Sequence, residues 1–417
     1  MLMPGTSQSS SRTYLWTFAA GLLYAASTFA MLMVIVHVSG AYWGGVFSLA
    51  LAVVQQLLTI GCFSVRTYQV SDVREIFTFG DYLSSRVLTC LLMVVAGLVW
   101  LGFSGYSKHQ THAVLLLLLL KTAEAFANVL EGRYQQSDRL DTACRCAFWK
   151  TLIPLLFFMV SIILTRQLLA SLAIYAGLYI VLTLAFDGQL VGAFGGLAFR
   201  WNQARQGALF RACLPLFVNA FLLTYITNAA KYAVHTQKGA ARLSIYSAMF
   251  MFAYAIPMLS MFLLTPRMTN LARAWHAKSH RAFAVGIARQ ILLIAVLTLA
   301  GVAAAYGWGA AILTRLFGLD LMPFRREICL LTIGGAGLAA YQVLQYALTV
   351  MRHLAACLGG IVVAAAAALV CTPPLVARYG ITGAVWSFFS VSSLLAAIFL
   401  GLTLFGLLQA SRTAKRA

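Results

Sequence analysis

The feature that most constrains this chain is the recurrence of long apolar segments from one end to the other. Twelve are read, at 14–38, 42–64, 83–104, 113–133, 147–165, 170–194, 211–233, 244–266, 284–306, 328–350, 353–372 and 380–409. An α-helix needs roughly 17–25 residues of this kind to cross a bilayer. The sequence therefore predicts an all-α polytopic membrane protein with about twelve transmembrane helices. The largest gaps, 65–82, 134–146, 195–210, 267–283 and 307–327, are too short for a separate soluble core, which needs about 40 residues.

Composition closes off the competing classes. Only 10% of the residues are charged, against about 25% in a soluble domain. A signal peptide on a soluble domain is excluded as well, because apolar segments continue to the C-terminus. The first segment is too long for a signal-peptide core and is read as a retained helix. The net charge is +20, but the basic residues are scattered over short gaps, so no nucleic-acid partner is expected. With the N-terminus in the cytoplasm, 20 of the 30 Lys and Arg fall at inner ends and loops and nine at outer ones; Lys121 is mid-span. That bias predicts both termini cytoplasmic and an even number of helices. The eight Cys show no zinc-ligand spacing and read as small packing residues.

Six spans on each side of a Gly-rich, basic stretch suggest two lobes: 1–197, a cytoplasmic linker 198–210, and 211–417. Arg66-Thr67-Tyr68-Gln69 follows span two and Arg267-Met268-Thr269-Asn270 follows span eight. Two six-helix lobes around a central cavity are a common transporter plan, with the substrate near the midplane.

A charge at mid-span costs roughly 2.5–3.5 kcal/mol to insert, so polar residues inside the spans are the informative ones. In span four Lys121, Glu124, Asn128, Glu131 and Gln135 are spaced 3, 4, 3, 4 and share one helical face. Lys121 and Glu124 can also pair along the helix. The stripe reads as a cavity lining or as a polar seam between helices. Thr224, Asn228, Lys231 and His235 form a second stripe in span seven, where Lys231 could instead snorkel to the outer surface. Weaker stripes are Gln55, Thr59, Cys62 and Arg66; Gln342, Gln345, Thr349 and Arg352; and Tyr14, Thr17, Gly21, Tyr24 and Thr28. Asp187 either pairs with a base or binds a coupling cation. Arg86 is a cavity residue or an inner-end anchor. Arg66, Arg86, Lys121 and Lys231 would make a cavity positive, with Glu124 as the main offset. Arg and Lys suit phosphate, so the expected cargo is anionic.

At these residues the chain resembles a family. Residues 66–90 (RTYQVSDVREIFTFGDYLSSRVLTC), 121–141 (KTAEAFANVLEGRYQQSDRLD) and the span seven-to-eight segment within 228–275 look like the corresponding segments of bacterial polysaccharide flippases of the Wzx type. His235 departs from the pattern, which would place an acid there. The resemblance implies the multidrug/oligosaccharidyl-lipid/polysaccharide (MOP) flippase superfamily and a fold of the MATE kind. It implies a non-enzymatic flippase of the bacterial cytoplasmic membrane, moving polyprenyl-pyrophosphate-linked oligosaccharide by alternating access. Arg66, Arg86, Lys121, Glu124, Asn128, Asn228 and Lys231 would contact that substrate. No cofactor or metal is expected beyond a coupling H+ or Na+. Membrane lipids, and the glycan polymerase and glycosyltransferases of the same pathway, would be its partners. The competing readings are an ion-coupled multidrug exporter on the same fold, which needs buried acids, and a membrane glycan polymerase or ligase, which needs a large outer loop.

Overall fold

The apolar segments fold as helices throughout. A computed structural model describes residues 10–72, 75–137, 139–193, 199 and 201–416, and no strand occurs among them. The helices are α1 (Ser10–Ser39), α2 (Ala41–Cys62), α3 (Val65–Ser71), α4 (Phe79–Phe103), α5 (Lys108–Gln136), α6 (Leu140–Thr165), α7 (Leu168–Ala193), α8 (Gln203–His276), α9 (His280–Ala304), α10 (Ala310–Phe317), α11 (Arg325–Val350) and α12 (Leu354–Arg416).

Ten of the described helices are long and apolar enough to cross a membrane. Two of them, α8 and α12, are each a pair of arms, broken at Gly239 (φ 81°) and Gly380 (φ 62°). Those backbone angles are costly for any residue with a Cβ. Each glycine reverses the chain where an apolar stretch would otherwise run on for 74 or 63 residues. Taking the arms singly gives twelve crossings, as the apolar segments predict.

The ends differ from the sequence expectation in three places. The predicted outer gap between spans seven and eight is helical, because one glycine suffices for the turn. A π-helical turn at Ala305–Gly309 carries α9 on into α10, so the gap at 307–327 is partly helix. The linker is already helix from Gln203 onward, while 194–198 and 200 lie outside the described residues. So do the side chains of Tyr14, Arg267, Thr269 and Asn270.

Two compact units divide the chain. The first comprises 1–40 and 50–217, the second 41–49 and 218–417. In the first, α1 packs on α6, α6 on α7, and α5 on α4, α6 and α7. Capping boxes at Thr78–Asp81 and Ser107–Gln110 start α4 and α5, satisfying orphan N–H groups. Beneath the α3–α4 connection an apolar cluster joins Val65, Phe77, Tyr82, Leu83, Val129 and Leu130 to Leu209 and Cys213 at the start of α8. Arg205 fastens the same corner, bonding the Asp81 carboxylate at 3.0 Å and the Ile76 carbonyl at 2.7 Å.

In the second unit α11 is central, packing on α9 and α12. The closest approaches are glycine-made. A Cβ on Gly335 would overlap the Ala253 carbonyl, and one on Gly45 would overlap that of Ala240. Lys238 donates to the Ala377 carbonyl (3.2 Å), one of the carbonyls the break at Gly380 leaves free.

Candidate functional site

α5 carries most of the polar chemistry of the first unit. Its 29 residues extend roughly 43 Å, and Lys121 lies roughly 20 Å from the start, close to the middle. Lys121 and Glu124 pair as their spacing allows, Nζ to Oε2 at 2.5 Å. The Lys121 ammonium also donates to Tyr24 Oη at 2.9 Å, and Tyr24 donates to Glu124 Oε1 at 3.0 Å. The three groups close a ring of hydrogen bonds between α1 and α5. Tyr175 and Tyr179 of α7 are buried and within electrostatic range of it. Lys121 itself is buried, whereas Tyr24 is 44% exposed.

Two turns further along α5, Glu131 meets Arg66 at 2.5 Å and Lys150 at 3.9 Å. Lys150 in turn bonds Asp187 at 2.9 Å. Arg66 belongs to the short helix α3 rather than to the end of the second span, and it also donates to Gln135 at 3.3 Å. Asp187 thus has a base as its partner, one of the two readings its position allowed. Lys150, only 1% exposed, is the member sequence reasoning missed. It lies 37 residues from Asp187, and no local spacing announces the pair.

Arg86 is fully buried. Its guanidinium bonds the Gly61 carbonyl in the last turn of α2 and reaches Asn128 Oδ1 at 3.4 Å. Thr89 shares the same carbonyl at 2.8 Å. A cation at a helix C-terminus complements both its free carbonyls and its dipole. The sequence left Arg86 as a cavity residue or an inner-end anchor; in the structure its guanidinium binds the end of α2 and Asn128 accepts from it. No carboxylate pairs with Arg86 among the described residues, and its Nε is an unpartnered buried donor.

The second unit has a different character. Residues 218–417 hold sixteen Lys and Arg and only two acids, Asp320 and Glu327. Lys231 is 8% exposed and lies about 12 Å before the break at Gly239. Its Nζ donates to Asn228 Oδ1 at 3.0 Å, and Asn228 donates to the Thr224 carbonyl at 3.1 Å. The ammonium stands 4.9 Å from the Phe250 ring centre and 5.8 Å from that of Tyr254, both on the returning arm of α8. It points inward against that arm, not outward as a snorkelling lysine would. No carboxylate pairs with it among the described residues. Tyr254 is 43% exposed at the edge of this group.

These helices make a polytopic all-α fold. It is similar to the fold of MATE transporters of the MOP superfamily. An inward-facing MATE transporter matches with TM-score 0.66 at 13% identity, over 99% of this chain and 97% of that one. A variant of the Vibrio cholerae MATE transporter VcmN matches with TM-score 0.65 at 11% identity, over 97% of this chain and 96% of that one. A MOP-superfamily transporter from Pyrococcus furiosus matches with TM-score 0.55 at 14% identity, over 96% of this chain and 95% of that one. In sequence, no family model and no curated protein matches the chain.

Proposed function

We propose that this protein is an alternating-access transporter for an anionic amphiphile, a polyprenyl-pyrophosphate-linked oligosaccharide flipped across the bacterial cytoplasmic membrane. The observation that carries the reading is the state of the intramembrane acids. Glu124, Glu131 and Asp187 are each held by a lysine or arginine, and the second unit offers no acid near Lys231. A cationic drug would find no unpaired carboxylate among these groups, whereas an anion would find in Lys231 an ammonium without a carboxylate partner. The Pyrococcus relative of this fold is described as having a binding pocket of reverse polarity that suggests a different function. That supports the idea that the fold accommodates cargo of either charge. The resemblance of 66–90, 121–141 and 228–275 to Wzx-type flippases supports the saccharide part of the reading.

The test is reconstitution of the full chain in liposomes containing a fluorescent polyprenyl-pyrophosphate-linked saccharide. Protein-dependent exchange between leaflets, with no transport of ethidium, is expected. Ethidium transport driven by a proton or sodium gradient, without saccharide exchange, would establish the exporter instead.

A further inference from the structure

The two units treat buried charge differently. We propose that the phosphate-type anion is held by Lys231 in the second unit and not by Lys121 of the Tyr24–Lys121–Glu124 cluster in the first. This rests on the reading of an anionic, sugar-bearing cargo.

Lys121 has the charge but not the freedom. Two of its three donors are committed, one to a carboxylate at 2.5 Å and one to Tyr24. A phosphate arriving there would meet Glu124 within the same hydrogen-bonded ring and be repelled by it. The ring is neutral overall. What it presents outward is a tyrosine edge and a carboxylate rich in acceptor sites.

Lys231 has the freedom. Asn228 takes one donor and the ring faces of Phe250 and Tyr254 lie beside the others. Cation–π contacts hold an ammonium in place more weakly than a carboxylate does. An anion can therefore displace them without breaking an ion pair. The absence of nearby acid removes the repulsion that Glu124 exerts at Lys121. Arg86 is the other described buried cation without a carboxylate, but it is fully covered beneath the end of α2.

The experiment is calorimetric titration of the purified full-length protein in nanodiscs with farnesyl diphosphate, a short polyprenyl diphosphate without sugar. The wild type is expected to bind saturably. Lys231→Gln should weaken binding by about tenfold or more, the loss of one charge-assisted contact, and Lys231→Arg should retain it. Lys121→Gln should leave binding within about twofold, because that ammonium is already neutralised. Glu124→Gln should tighten binding, because it frees Lys121 to act as a second cation. Thermal melting of each variant separates lost binding from lost folding, and the expected gain in Glu124→Gln cannot arise from misfolding. Weakening by Lys121→Gln with no effect of Lys231→Gln would place the anion in the first unit and overturn the partition alone. Competition by phosphatidylglycerol as strong as that by inorganic pyrophosphate would make Lys231 a lipid-headgroup site and also overturn it. Failure of the wild type to bind farnesyl diphosphate would overturn the anionic-cargo reading along with the partition.

Discussion

At the scale of single residues, the intramembrane acids Glu124, Glu131 and Asp187 are each paired with a base. Lys150 and Asp187 illustrate the energetics. Desolvation makes such a pair of little net benefit, yet removing one partner strands the other and costs about 3–5 kcal/mol. Lys150→Met should therefore lower the melting temperature of the purified protein sharply, and Lys150→Met with Asp187→Leu should recover most of the loss. A double variant no more stable than the single one would show that the contact of Lys150 with Glu131, not that with Asp187, carries the loss. Asp72 makes a pH-dependent contribution outside the spans. Burial pushes its carboxyl up, but bonds from Phe77 N, Tyr82 Oη and Ile76 N together outweigh that and leave it below its ordinary value. Its contribution is thus fully present above the unfolded value of about 3.9 and lost as pH falls through the lower folded value. Amide protection at Ile76 and Phe77 should hold from neutral pH to about 4 and fall below it; in Asp72→Asn the acid step should vanish. What could be read from sequence at this scale follows contact distance along the chain. Lys121–Glu124 and Asn228–Lys231 are three residues apart and visible in the spacing. Arg66–Glu131, Lys150–Asp187 and Arg86 with Gly61 are joined only by packing, so sequence alone leaves Arg86 open between a cavity residue and an inner-end anchor.

At the scale of elements, glycines do two separable jobs. Gly239 supplies a backbone angle and has open space where a Cβ would be. Gly45 has no such angle, but a Cβ there would overlap the Ala240 backbone. Gly239→Ala should cost about 1–2 kcal/mol through backbone strain alone, and Gly45→Ala about 1–3 kcal/mol through overpacking. Thermal unfolding of the two variants checks both. Further enlargement separates them: Gly45→Leu should worsen markedly over Gly45→Ala, while Gly239→Leu should resemble Gly239→Ala. The spans themselves were legible because apolar length is a property of consecutive residues. The helical hairpins at Gly239 and Gly380 were less so. A glycine in an apolar stretch carries no mark of the sign of its φ, which is why a ten-residue gap was expected at 234–243.

At the scale of the whole molecule, the basic residues divide unevenly. The second unit holds sixteen Lys and Arg to two acids, the rest of the chain fourteen to eight. The inside bias of those residues predicts that both termini are cytoplasmic. A C-terminal green fluorescent protein fusion should therefore fluoresce, and alkaline phosphatase fused after Ser107 should be active. An active phosphatase at the C-terminus would reverse the assigned orientation. The fold class was legible in the apolar segments alone, whereas the partner of each charge was not. Composition reports the net charge but not which carboxylate stands beside which base.

The pairing of charges in the first unit also has an electrical consequence. A transmembrane potential acts on net charge, at roughly 2.3 kcal/mol per elementary charge per 100 mV. Lys121 with Glu124, Arg66 with Glu131 and Lys150 with Asp187 are dipoles rather than charges, and the field exerts almost no net force on them. If Lys231 offsets one charge of a doubly charged pyrophosphate, one negative charge remains to be moved. A membrane negative on the cytoplasmic side would drive that charge outward. If the proposed anionic cargo is carried, a valinomycin-imposed potential alone should set the direction of its net movement.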